Sequence, residues 1–382
     1  MHQLRHKLCR LLYKKTSCRI CGSKNLVEFL DLGKQPLAND YITLPGANLV
    51  FDLIMNRCQS CGHYQLSNVI DSHILFDNYL YRSGVPQAFK THCQELSKKL
   101  YKISALRQGD VVVDIASNDG TLLNEFRKYL ALDSYGINFL GIEPAKNLIK
   151  LNPDFIDVYN NYFNEKICLS IIEKYKRKAK VVIAQNVLAH VDDIHTFIQN
   201  VSILLHDDGI FVIEVPYFRE LVKKRQFDTI YHEHLSYFLI RPLSYALEAH
   251  LLTLANVELF EGIHGGTIRL YVVHKNSSLL KNKFTLSNVN DYIEVEEIEG
   301  LYEPHLNDED YYEFSERVNA IIRDFGNYIS QINLDENNKI GIFGAAAKGT
   351  VFLNKFFETF TDEFFKTCYD ENNLKWDYKI PG

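Results

Sequence analysis

Five short runs rich in β-branched and aliphatic residues, VVVDIA from Val111, INFLGIEPA, FIDVY, AKVVIAQNVLAH and GIFVIEVPYF, are separated by stretches such as TLLNEFRKYL, EKICLSIIEKYK and IHTFIQNVSILL, whose apolar residues recur at helical spacing. Strands buried on both faces read as continuous apolar runs, and strands that alternate with helices need crossover connections. This region is therefore expected to fold as an α/β unit with a parallel, doubly wound, Rossmann-like sheet. Such sheets bind ligands beyond the carboxyl ends of their strands, which directs attention to the turns after Asp114, Glu143 and Gln185.

The remaining sequence falls on either side of that unit. A chain of 382 residues exceeds what one core organises, and the composition shifts predict three domains: 1–69, a loop-rich module with an N-terminal extension; 70–275, the α/β unit; and 276–382, a second α/β unit. The spacing from Ile70 to Arg107 is helical, the polar stretch from Lys275 to about Asp310 reads as a linker or helical excursion, and KIGIFGAAAKGTVFLNKFF supplies another strand, Gly-rich turn and helix. The opening MHQLRHKLCRLLYKK reads as a frayed, solvated extension rather than a membrane-surface helix. It lacks the apolar segment of a secretory signal, and no apolar run reaches the roughly 20 residues of a membrane span, so a cytoplasmic protein with no membrane partner is expected. A net charge of -6 argues against nucleic acid as a partner, because phosphate-backbone binding calls for a basic face. A monomer or small homo-oligomer is expected.

The chain has eight cysteines, and four of them form two pairs, Cys18-Arg-Ile-Cys21-Gly and Cys58-Gln-Ser-Cys61-Gly. The CxxC spacing lets both thiolates of a pair bind one ion, the glycine relieves the tight turn, and two pairs complete a closed tetrahedral shell. These residues predict a Zn2+ ion that holds structure, since a closed shell leaves no position for reacting water. His63 is a candidate neighbour of the shell rather than a ligand.

The turn after Asp114 contains Ala116, Ser117, Asn118, Asp119 and Gly120, small residues that let a ligand approach the backbone. It has fewer glycines than a phosphate loop, and its acidic character suits a cationic sulfonium better than a pyrophosphate. Glu143, followed by Pro144, ends the next strand where an acidic side chain accepts hydrogen bonds from ribose hydroxyls; a nicotinamide cofactor would use the same carboxylate.

The set DIASNDG, GIEP and QNVLAHVDD, which brings Gln185 and Asn186 beside these turns, strongly resembles class I S-adenosylmethionine (SAM)-dependent methyltransferases. The whole chain resembles the nucleotide-sugar C-methyltransferases. The resemblance runs through CRICG, LDLGKQPLAND, CQSCGHYQL, LFDNYLYRSG, VVDIASNDGTLL, QNVLAHVDDI, FDTIYHEHLSYF, GGTIRLYV and GIFGAAAKG. It implies SAM as cofactor, a nucleoside-diphosphate 4-keto-deoxysugar as substrate, and methyl transfer to C-3. The 4-keto group acidifies the C-3 hydrogen, so a base can generate an enolate that takes the methyl group. By this resemblance His234 is the base, Tyr231, Glu233 and His190 orient the sugar or polarise its keto oxygen, and Tyr81 is a further substrate-site residue. Lys348 and the Gly-rich turn before it would receive the diphosphate, with His264, Gly265 and Gly266 along the path. If Tyr231-His232-Glu233-His234 is extended, alternation puts Tyr231 and Glu233 on one face and the two histidines on the other. The family's C-terminal unit continues beyond the point matched by KIPG, so this third domain is expected to be incomplete. A sugar O- or N-methyltransferase of the same architecture, or a SAM- or nucleotide-sugar-binding protein without turnover, are the alternatives.

Overall fold

A computed structural model describes residues 12–41, 48–130, 136–284, 287–302, 308–332, 340–360, 365–372 and 375–382. Near the N-terminus, β1 (Leu12–Lys14) pairs antiparallel with β5 (Asn68–Ile70), while β2 (Leu26–Pro36), β3 (Val50–Cys58) and β4 (Tyr64–Leu66) form an antiparallel sheet. The last residues of the expected solvated extension thus belong to a strand; residues 1–11 of that extension lie outside the described residues.

The central sheet contains β6 (Val111–Ile115), β7 (Asn138–Ile142), β8 (Ile156–Tyr159), β9 (Ala179–Gln185), β10 (Leu205–Pro216), β12 (Leu252–Phe260) and β13 (Thr267–His274). Its order is β12-β13-β10-β9-β6-β7-β8, parallel from β8 through β10, with β13 antiparallel to both neighbours. Val111, Val112 and Val113 are fully buried, which shows why the run lacks alternation: Val111 and Val113 join one core, Val112 the core on the other face. Burial of such side chains stabilises the fold by roughly 1.5–3 kcal/mol each. Helices Gln87–Ser104, Thr121–Leu130, Glu165–Tyr175 and Ile194–Leu204 accompany the strands. Asn164 and Asp193 cap the last two, accepting from the backbone N–H of Ile167 and Thr196. The strand order reverses between β6 and β9, the switch point at which this class of sheet opens a ligand crevice.

Two connections tie the outer parts of the chain to the central sheet. A short strand, β11 (Ser236–Tyr237), leaves the α/β unit and pairs with β4, so the segment just before it is held between the N-terminal sheet and the central one. Beyond β13, the polar stretch expected as a linker or helical excursion contains helix Val289–Ile298, and helix Asp308–Gln331 follows. Glu296 anchors the first of these, accepting from the Tyr217 hydroxyl at 2.7 Å and the Ile240 N–H at 2.9 Å. Burial raises its carboxyl to about 7. Parallel strands β14 (Ile340–Phe343) and β15 (Phe365–Tyr369) flank helix Ala347–Phe357. Among the described residues no helix is long and apolar enough to cross a membrane.

Candidate active site

The two CxxC turns meet. The Sγ atoms of Cys18, Cys21, Cys58 and Cys61 all lie within 4.8 Å of one another, with Cys18–Cys61 at 3.6 Å and Cys21–Cys58 at 3.5 Å. A tetrahedral zinc–thiolate shell has sulfur–sulfur edges of about 3.8 Å, so the donor set fits Zn2+. Gly22 (φ +72°) and Gly62 (φ +75°) donate back to the carbonyls of Cys18 and Cys58, a left-handed turn that favours glycine. His63 is buried behind the shell with Nε2 3.3 Å from Ser236 Oγ, and burial lowers its imidazole pKa to about 3.

At the switch point, Asp114 is the penultimate residue of β6 and is buried; desolvation and the nearby Glu143 and Glu214 carboxylates push its pKa well above the usual range. The following turn is bent by Ala116 (φ +54°) and Asn118 (φ +55°), and at Gly120 (φ +73°) a Cβ would lie 2.6 Å from Asn152 Oδ1. Glu143 accepts from the Asn118 N–H at 2.8 Å and the Ala145 N–H at 2.7 Å; burial raises its pKa, opposed by these bonds. Asp114, Ala116, Ser117, Asn118, Glu143, Pro144, Gln185 and Asn186 all line one cavity of about 1020 Å³.

Asp119 and Gly120 are not among the lining residues. Asp119 instead accepts from the Gly84 N–H at 3.0 Å and the Thr121 hydroxyl at 2.6 Å. Asn118 grips the same segment, a strap of residues 79–84, with both ends of its amide, accepting from the Ser83 N–H at 3.0 Å and donating to the Tyr81 carbonyl at 3.1 Å. Asn147 treats Tyr79 likewise, at 3.0 and 2.7 Å. The strap carries Tyr79 and Tyr81 into the cavity wall.

The Tyr231–His234 segment is a turn, not a strand, and this overturns the alternation expected for it. The His234 N–H returns to the Tyr231 carbonyl at 2.9 Å, which brings Tyr231 and His234 onto one side. His234 Nδ1 lies 3.1 Å from the Thr229 carbonyl, so Nδ1 carries the proton; Nε2 then accepts from the Tyr231 hydroxyl at 2.9 Å. Burial, and then the neighbouring His190, hold the His234 pKa well below that of a free imidazole, while burial raises the Tyr231 phenol. His190, from the 3-10 turn Leu188–His190, has its ring centroid 4.9 Å from that of His234; burial lowers its pKa to about 4. Tyr81, His190, Tyr231 and His234 line the cavity with Lys348, whose Nζ donates to the His264 carbonyl at 3.0 Å.

Glu233 turns elsewhere. It accepts from Asn39 Nδ2 at 2.7 Å and the Tyr79 hydroxyl at 3.0 Å, and burial, opposed by these two bonds, raises its carboxyl to about 7. His232 is buried with its ring against Phe51 and does not line the cavity. Sequence reasoning missed Tyr79, Asn39 and Asn147. Tyr79 had a signal in the aromatic YLYRSG stretch, but the two asparagines had none that distinguished them from ordinary polar residues.

Comparison with known proteins covers nearly the whole chain. Residues 18–76 match a zinc binding domain, 84–255 a methyltransferase domain, and 262–382 a C-methyltransferase C-terminal domain. The C-methyltransferase NovU of Streptomyces niveus is 29% identical over 372 residues, 96% of this chain and 83% of the relative. Among solved structures, magnesium protoporphyrin IX methyltransferase of Synechocystis PCC 6803 superposes with a TM-score of 0.38 and 12% identity, over 51% of this chain and 90% of the other. The CcbJ methyltransferase of Streptomyces caelestis gives 0.36 and 14%, over 48% and 89%.

Proposed function

We propose that the chain, which joins matches to a zinc binding domain, a methyltransferase domain and a C-methyltransferase C-terminal domain, is a SAM-dependent C-methyltransferase that methylates C-3 of a nucleoside-diphosphate 4-keto-deoxysugar. In this reading residues 1–69 carry the zinc, 70–275 hold SAM, and 276–382 receive the nucleotide. Asp114, the 116–118 turn, Glu143 and Gln185 would hold the cofactor, with the buried Asp114 carboxylate facing its positive charge. SAM would supply an electrophilic methyl group on a sulfonium, and methylation at carbon requires the substrate to present a carbon nucleophile.

The observation that carries the proposal is the Tyr231–His234 pair. The Tyr231 hydroxyl has one proton, which in the structure is donated to His234 Nε2. When a keto oxygen reaches the cavity, that proton turns to it and the Nε2 lone pair is freed. The C–H bond at C-3 then breaks, its proton goes to Nε2, and its electron pair moves into the keto group as an enolate held by the Tyr231 O–H. Nδ1, fixed on the Thr229 carbonyl, keeps the ring oriented as it becomes imidazolium. Lys348 and the N-terminus of helix Ala347–Phe357 offer positive charge for the diphosphate. An O- or N-methyltransferase could use His234 as a base alone and needs no enolate stabiliser, which leaves the Tyr231 donor without a task.

The test is product analysis. With SAM carrying a 13C-labelled methyl group and a nucleoside-diphosphate 4-keto-6-deoxysugar, the label should appear as a C-methyl group coupled to C-3 in the carbon NMR spectrum. A methoxy or N-methyl resonance would overturn the assignment.

A further inference from the structure

One face of the zinc turn is docked on the rim of the cavity. Arg19 stands between the ligands Cys18 and Cys21, and its side chain is fully buried. Its Nε pairs with Asp192 Oδ1 at 2.9 Å, its Nη1 donates to the Leu66 carbonyl at 2.9 Å, and its backbone N–H donates to Gln65 Oε1 at 2.8 Å. The next residue, Ile20, presents its carbonyl to His195 Nε2 at 2.6 Å. Two consecutive residues of the knuckle therefore grip Asp192 and His195, on either side of the N-cap Asp193 of helix Ile194–Leu204. Lys15 Nζ, at 3.1 Å, and the Tyr13 hydroxyl complete the hold on Asp192.

The segment that the knuckle grips, residues 186–193, also lines the cavity. His190, Val191, Asp192 and Asp193 line it together with Asp114 and Glu143. The turn leaves β9 through Asn186, at φ +55°, and the single 3-10 turn Leu188–His190. Its shape is thus set by contacts at both sides.

From this geometry we infer that Arg19 is a positioning residue through which zinc occupancy and cofactor binding are energetically coupled. An ion in the four-cysteine shell fixes the backbone at Arg19 and Ile20; these fix Asp192 and His195; and the turn between them shapes the wall where His190 and the cofactor strands converge. Arg19 suits this task because its planar fork reaches a carboxylate and a carbonyl at once, which a lysine point charge cannot do in fixed geometry. A coupling of this kind is reciprocal, so zinc must tighten the cofactor by the same factor by which the cofactor tightens zinc. The inference goes beyond methyl transfer and does not depend on which acceptor the enzyme uses.

The experiment uses the full chain loaded with zinc and S-adenosylhomocysteine, the demethylated cofactor, as the probe. Zinc affinity is measured by chelator competition with and without saturating probe, and probe affinity by calorimetry on zinc-loaded and zinc-depleted protein. Expected is a common factor of about fivefold or more in both directions, within the ordinary range of coupling between sites. Arg19→Gln should still bind one zinc ion per chain yet lose the coupling, and Arg19→Lys should restore only part of it. A general loss of stability is separated by Leu100→Ala, a fully buried residue in the core on the sheet face opposite the one that includes Cys18 and Cys58. That variant, destabilised but with the Arg19–Asp192 pair intact, should keep the full factor. Should Arg19→Gln fail to fold, Asp192→Asn removes the same ion pair from the other side. Equal coupling in these variants and the parent protein, or no coupling in the parent, overturns the inference.

Discussion

The two ends of the cavity hold their polar groups in opposite ways. At the cofactor end, Asn118 and Glu143 are committed to backbone partners before any ligand arrives: Asn118 clasps the strap at Ser83 and Tyr81, and Glu143 accepts from two backbone N–H groups. At the acceptor end, the Tyr231 hydroxyl and His234 Nε2 are bonded to each other, and Lys348 rests on a carbonyl. The first arrangement is a preformed mould. The second is a pair whose one shared proton can be redirected, which suits a site where charge must develop and then move.

The difference can be broken most sharply at the acceptor end. His234→Ala removes the proposed base and should lower kcat by about 10²–10⁴-fold while leaving SAM affinity near that of the parent enzyme, measured by single-turnover kinetics and calorimetry. Tyr231→Phe removes the proposed donor to the enolate and should cost about 10²-fold in kcat, with no gain in methylation of oxygen. At the cofactor end the effect should fall on binding. With Asp114 as the proposed partner of the cationic cofactor, Asp114→Asn should weaken SAM by about tenfold to a hundredfold, the scale of a charge-assisted contact. Burial and the neighbouring carboxylates hold the Asp114 carboxyl above the usual range, and a bound cation favours its ionised form, so SAM affinity should rise with pH through that titration; in Asp114→Asn the dependence should vanish.

Smaller effects sharpen the same contrast. Asn147→Ala loosens the strap at Tyr79 and should raise KM about fivefold with little change in kcat, as expected for the loss of hydrogen bonds worth about 1 kcal/mol. Glu233 supplies a pH signature in stability. Its folded pKa of about 7 lies above the usual 4.5, so the native state binds more protons than the unfolded state between those values, and stability falls as pH rises through that window. Chemical denaturation of Glu233→Gln should show a shallower decline over the same window, by up to about one proton.

The mould was more legible in the sequence than the movable pair. The CxxC turns and the strand ends at Asp114 and Glu143 are local signals, since cysteine spacing and buried apolar runs fix where those residues go. The Tyr231–His234 segment was recognisable as chemistry but not as geometry. Strand alternation fails there because a turn, pinned by the Thr229 carbonyl and followed by β11 on the N-terminal sheet, sets the directions instead. Asp119 illustrates the same limit. It sits in the turn where cofactor contacts were expected, yet its carboxylate holds Gly84 and Thr121, because the strap returns from a segment 35 residues earlier. Arg19 and Asp192, 173 residues apart, carried no sequence signal for each other.

The most direct test of the enolate is hydrogen exchange without methyl transfer. Enzyme, S-adenosylhomocysteine and a nucleoside-diphosphate 4-keto-6-deoxysugar are incubated in deuterium oxide, and C-3 is followed by proton NMR. The C-3 proton signal should disappear in the presence of the enzyme and persist with His234→Ala. Retention of the C-3 hydrogen during productive methyl transfer by the parent enzyme would contradict carbon methylation at that position.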